Sequence, residues 1–145
     1  MQVIGFNFEK ISAERKEQEK KPEEKIEINS NISVKDITQE KIGIVKDKPV
    51  LKITFEFLVN YKPNVADIIL RGNILTLVEK DEAKSITKKW KDKKISDDVR
   101  IPLFNIILTR CNLKALDLEE QLNLPTHIPL PRIKPQQQGN KSYTG

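Results

Sequence analysis

Val50–Leu51–Lys52–Ile53–Thr54–Phe55–Glu56–Phe57–Leu58–Val59 carries a large apolar side chain at every odd position: Leu51, Ile53, Phe55, Phe57 and Val59. Lys52, Thr54 and Glu56 fall among the even positions. Strand side chains alternate between faces, so this stretch has one solid apolar face opposite one mostly wet face. Burying five such side chains stabilises by about 1.5–3 kcal/mol each. No other segment alternates so cleanly, and the pattern predicts the central strand of an antiparallel sheet.

Towards the N-terminus, residues 36–49 form a connection with Ile42, Ile44 and Val45 set between polar residues, closing on Asp47–Lys48–Pro49. A connection of this length with its own apolar residues is often functional, and it could equally extend one of the flanking strands. Before it, Ile26, Ile28, Ile32 and Val34 alternate with polar residues as a second strand, interrupted at Ser30. Residues 9–25 hold a dense mixture of charges and no large apolar residue beyond Ile11. Too little apolar surface is available there to offset ordering entropy, which predicts a loop or a frayed helix ending at Pro22. Residues 3–8 read as a short first strand with Ile4, Phe6 and Phe8 on one face.

Towards the C-terminus, Tyr61–Lys62–Pro63–Asn64 is a turn signal. Residues 65–79 form a β-rich run with apolar residues on both parities, and Gly72–Asn73 marks a bend in one strand in preference to a hairpin. Apolar residues on both faces mean that something packs on the second side. From Asp81 the period changes: Ala83, Ile86, Thr87 and Trp90 form a helical stripe, with Asp81 as N-cap and lysines over the remaining surface. After Ser96–Asp97–Asp98, a second helix has Pro102 in its first turn. Leu103, Phe104, Ile106, Ile107, Leu108, Cys111 and Leu113 leave it almost no polar face. Such a helix is buried on two sides, one of them a candidate subunit interface. Asp117 and Glu120 resemble a capping pair opening a short third helix that Pro125 ends. Prolines 125, 129, 131 and 135 then impose an extended course on Ile128, Leu130 and Ile133.

The chain has 145 residues, 32% of them charged, and a net charge of +5. That length suits one domain, expected over residues 1–135, with the polar residues 136–145 as a disordered tail. One cysteine excludes an intrachain disulfide and fits a reducing compartment. No signal-peptide pattern and no long apolar run is present, so the expected setting is the cytoplasm, without membrane insertion.

Catalytic chemistry has little to stand on. The single histidine, His127, lies in the proline-rich segment, and Cys111 sits on an apolar helix where cysteine acts as a small hydrophobe. One His and one Cys cannot hold a metal alone, Asp97–Asp98 reads as helix-N-terminal charge, and the five glycines form no phosphate loop. The expectation is a non-enzyme without metal or cofactor. The lysines of residues 84–94 could contact phosphates around Trp90. Trp90 falls on the apolar stripe, however, so a solvated helix face is the better reading than nucleic-acid binding. What remains is a surplus of apolar surface, which marks an oligomer or ligand surface.

The order of elements resembles the SecB family of protein-export chaperones over roughly residues 2–133. Its strands are matched by Val3–Phe8, Ile26–Val34, 50–60 and 65–79, with the long connection 36–49 after the second strand. The stretch RIPLFNIILTRC resembles the family's long second helix, and LNLP at Leu122–Pro125 followed by HIPLPRI resembles its LNLAPV-type segment. The resemblance implies an α+β fold, a four-stranded antiparallel sheet with two helices packed on one face. It also implies a homotetramer, a dimer of dimers, that holds unfolded polypeptides or preproteins in apolar grooves without ATP or a cofactor. Carried over by position, the groove candidates are Ile42, Ile44 and Val45 in the connection, with Leu122, Leu124, Ile128 and Leu130 after the second helix. Familiar members are acidic and present acidic residues to the SecA motor, whereas this chain is net basic, which puts delivery to SecA in doubt. A non-catalytic interaction module with a fixed partner is the alternative reading.

Overall fold

A computed structural model describes residues 1–16, 25–41 and 48–135. Four strands, β1 (Gln2–Arg15), β2 (Glu27–Glu40), β3 (Val50–Lys62) and β4 (Ala66–Leu77), precede two helices, α1 (Lys80–Trp90) and α2 (Asp97–Gln121). The strands form one antiparallel sheet in the order β1-β4-β3-β2. This is the α+β architecture that the resemblance implies, with residues 50–59 in an inner strand as their alternation predicts. Leu51, Ile53, Phe55, Phe57, Val59 and Tyr61 are all buried on the face of β3 that packs with the helices.

β4 runs straight through Gly72–Asn73 without changing face. Ala66, Ile68, Leu70, Ile74 and Val78 face the core, while Ile69, Leu75 and Leu77 are half-buried on the opposite side. Gly72 is needed for a different reason. A Cβ there would lie 2.2 Å from the Asn7 carbonyl oxygen and 2.7 Å from the Phe55 ring, so the glycine makes room for that ring.

β1 is longer than residues 3–8, and residues 9–15 are strand where a loop or frayed helix was expected. Their backbone pairs with central strand β4 from Lys10↔Arg71 to Arg15↔Ala66, so the ladder supplies what few apolar side chains could not. The charges lie along an edge strand, where they find partners: Lys16 Nζ sits 2.6 Å from Asp67 Oδ2 and 2.8 Å from Asn64 Oδ1. Register shifts fall between Val3 and Gly5 and between Phe8 and Lys10. The first leaves Ile4 unpaired and exposed, so it does not share the core face with Phe6 and Phe8. β2 likewise extends beyond Val34 and is not interrupted at Ser30, which pairs with Val59. A shift between Val34 and Asp36 makes Lys35 the extra residue, after which Ile37 is buried beside Ile53.

In α1, Ala83, Ile86 and Trp90 are buried as the helical stripe predicts, and Glu79 rather than Asp81 is the N-cap residue. The Trp90 indole nitrogen donates to Asp36 Oδ1 at 3.4 Å, joining the helix to β2. α2 continues unbroken to Gln121, so Asp117 and Glu120 do not open a separate helix. Its buried residues, Val99, Leu103, Ile107, Cys111, Ala115 and Glu119, recur every fourth position. They form an i±4 ridge, and burying that ridge pays for the length of the helix. The opposite row, Ile101, Asn105, Thr109, Leu113 and Asp117, is exposed throughout. Because α2 starts at Asp97, Pro102 sits in the second turn rather than the first; it offers no N–H to the Asp98 carbonyl, and both residues are exposed.

On the sheet face away from the helices, Glu56 is buried between Arg71 and Lys35. The Arg71 guanidinium, donating at 2.5 Å, holds the Glu56 carboxyl below the usual carboxylate range, with Lys35 at 3.5 Å contributing. A carboxyl depressed in the folded state stabilises fully above its unfolded value and loses that contribution as pH falls through the folded value. Melting temperature followed from neutral to acid pH should therefore drop less steeply for Glu56→Gln than for the native chain. Identical acid limbs would show that the pair contributes nothing.

Candidate functional site

The site is built where α2 meets the segment that follows it. α2 ends in a left-handed residue, Asn123 (φ 54), and the Leu124 N–H returns to the Glu119 carbonyl at 2.9 Å. This closure turns the chain back along the helix. Arg15 of β1 completes it by donating to the Leu122 and Asn123 carbonyls at 2.9 and 3.1 Å, satisfying acceptors that a helix end leaves free. The doubled-back chain encloses a groove of about 560 Å³ lined by Leu116, Asp117 and Glu120 of α2 and by Leu124, Thr126 and Leu130 opposite.

Beneath the groove lies a buried polar cluster. Glu119 faces inward, where its carboxylate accepts from the Tyr61 hydroxyl of β3 and from the His127 backbone N–H at 3.2 Å. His127 Nδ1 lies 2.9 Å from both oxygens of that carboxylate, and Nε2 lies 2.9 Å from Asn112 Oδ1. The ring packs edge-on to Phe57, with centroids 5.8 Å apart. Burial, with the Glu119 carboxylate beside it, holds the Tyr61 phenol well above its ordinary range, so the hydroxyl stays a donor.

The positions expected from sequence divide as follows. Leu124 and Leu130 both line the groove, but Leu124 is only 8% exposed and belongs to the core, while Leu130 is 51% exposed. Leu122 packs against the core, and Ile128 is half-buried beside the groove-lining residues without lining the groove itself. Ile42, Ile44 and Val45 lie outside the described residues, as do residues 136–145. A recess beside the ends of that connection, about 380 Å³, has lysines as half of its lining: Lys41, Lys48, Lys80 and Lys84. Sequence reasoning missed Leu116 and read Asp117 and Glu120 as caps. Their spacing at i, i+1 and i+4 was the available signal, had α2 been carried through.

The remaining chemistry-bearing residues are committed elsewhere. Burial pushes the Cys111 thiol up to about 12, only partly offset by Arg110, so it is a core side chain and not a thiolate. Both His127 nitrogens are engaged by Glu119 and Asn112. Asp97 and Asp98 occupy the first turn of α2, with Arg100 2.6 Å from Asp97. Trp90 is 9% exposed with Lys93 4.6 Å over its ring, leaving no open platform for a base. Among the described residues, no helix is long and apolar enough to cross a membrane.

Four antiparallel strands covered on one face by a short and a long helix define a SecB-like fold. Among solved structures, the chain is similar to a SecB-like chaperone of Mycobacterium tuberculosis, determined in complex with a peptide from the HigA1 antitoxin. The TM-score is 0.52 at 14% identity, covering 94% of this chain and 92% of that one. No protein-family model and no curated protein sequence matches the chain.

Proposed function

We propose that this protein is a SecB-like holdase, a non-catalytic chaperone of the cytoplasm that holds unfolded polypeptides or preproteins without ATP or a cofactor. The observation that carries the reading is the groove between α2 and the folded-back segment. Leu116 and Leu130 present aliphatic surface along a groove of about 560 Å³, with Leu124 at its base. The likeness in fold to a chaperone solved with a bound peptide supports it. Ile42, Ile44 and Val45 are proposed to extend the apolar surface from the connection.

Mixed with a slowly refolding, aggregating substrate, the native protein should suppress light scattering at stoichiometric ratio. No suppression would end the holdase reading. The variant carrying Leu116→Asp and Leu130→Asp should bind an unfolded apolar peptide at least tenfold more weakly, since one buried leucine is worth about 1.5–3 kcal/mol and about 1.4 kcal/mol is tenfold.

The peptide in the mycobacterial complex comes from one named protein, and that favours a second reading, a module devoted to a fixed partner. Tight binding to one partner sequence with indifference to other unfolded chains would select it.

The holdase is proposed to act as a dimer of dimers. Ile101 and Leu113, 55% and 65% exposed, stand on the outer row of α2, and Val3 and Ile4 are exposed on β1. A depression of about 360 Å³ between these elements, lined by Val3, Phe6 and Ile106 with Arg110 over the Phe6 ring at 4.5 Å, continues that surface. Mass in solution should be four times that of the chain, and Leu113→Glu should reduce it. A native monomer would exclude the assembly.

A further inference from the structure

The two walls of the groove are tied to each other by one buried pair. Glu119 lies on α2 between the wall residues Leu116 and Glu120, and His127 lies between Leu124 and Leu130 on the wall opposite. The side chains are 0% and 1% exposed. The His127 ring also packs on Phe57, and Ile128 is half-buried. Among the described residues, no backbone–backbone hydrogen bond fixes residues 125–135; the return bond from Leu124 is the last. The segment is held instead by side chains: Glu119 on the His127 N–H and ring, and Asn112 at the other ring nitrogen. A hydrogen on Nδ1 donates to the Glu119 carboxylate, and Asn112 meets the other ring nitrogen.

We infer that Glu119 and His127 are positioning residues, a latch that holds the outer groove wall in place and on which client binding depends. The inference rests on the groove being the client site, and the two are separable by experiment. Breaking the pair frees residues 125–131 to leave α2, which removes Leu130 and Thr126 from the groove while leaving the sheet and helices intact.

The full-length protein serves for the test, with hydrogen exchange at residues 124–131 read in the absence of any client. His127→Gln should speed exchange there by at least about tenfold more than it does in β3 and β4, because local opening is a separate event from global unfolding. Unchanged exchange overturns the latch. Affinity for an unfolded apolar peptide should fall at least about tenfold in the same variant, at about 1.4 kcal/mol per tenfold. Unchanged affinity with faster exchange overturns the dependence of binding on the latch. Leu116→Asp should weaken peptide binding and leave exchange unaltered, so failure of the native chain to bind any peptide is charged to the client reading, and the exchange result judges the latch.

Should His127→Gln unfold, Asn112→Ala serves in its place, removing only the partner of Nε2 and raising exchange to a smaller degree. The chain has one histidine, so its ring nitrogen signals need no assignment. Labelled at the imidazole, the native protein should show hydrogen on Nδ1, slow to exchange with solvent. A Nδ1 without hydrogen overturns the pairing.

Discussion

Phe55→Ala should lower stability by about 3–5 kcal/mol, the cost of truncating a fully buried aromatic side chain. The ring stands at the centre of the sheet, its centroid 5.2 Å from Phe6 and 6.3 Å from Phe8, and it rests over Gly72 on the paired strand. Nothing nearby can fill the space. Gly72 has no side chain, and β4 cannot close in without breaking its ladder to β1 and β3. Domains of this kind are stable by about 5–15 kcal/mol in total, so the loss is a large share of the whole. Urea unfolding followed by circular dichroism should show the midpoint fall sharply. Thr54→Ala, one residue away on the other face, should stay within about 0.5 kcal/mol. Equal effects at the two positions would mean that the alternation in β3 does not separate core from surface.

That alternation was legible because β3 is paired on both sides and covered on one face, so burial alone decides its pattern. α1 was legible for a similar reason, its stripe lying on β2 through Trp90 and Asp36. The second half of β1 was not. Its side chains describe an edge facing solvent, while its conformation is set by backbone pairing with β4, and side-chain composition carries no record of that. In β2 the extra residue at Lys35 shifts the phase, so Ile37 follows Val34 at an odd interval and looks like the start of a connection. The end of α2 misled for a chemical reason. Glu119 occupies a core position on the ridge of every fourth residue, and a charged residue there breaks any apolar count. Its partners, Tyr61 and His127, are far from it or lie beyond a helix end, so only the folded chain shows that the charge is satisfied. Half of the groove was readable as leucines among prolines. Leu116 was not, because the chain that makes it a wall doubles back after the helix.

Glu119→Leu should cost about 3–5 kcal/mol, since removing one member of a buried pair leaves the other without compensation. Here the loss is compounded: the carboxylate takes the Tyr61 hydroxyl, the His127 N–H and the His127 ring, and all three would lose that partner. The double variant Glu119→Leu with His127→Phe separates two meanings of that cost. A well-packed apolar pair in place of a buried polar pair is often neutral or more stable by about 1–4 kcal/mol, so the double variant should regain the share of the loss that comes from the unpaired ring, while the Tyr61 hydroxyl can turn to the Pro125 carbonyl. Urea unfolding of the native chain, both single variants and the double variant gives the coupling directly. Additive losses would show that Glu119 and His127 do not act as a unit. Strong coupling with recovered stability would mean that the fold does not need the polar pair to be stable. Their worth would then lie in where they set His127, and with it Leu130, relative to α2. Peptide binding by the recovered double variant is the decisive comparison: a stable chain that still fails to hold peptide would separate the position of the groove wall from the stability of the core beneath it.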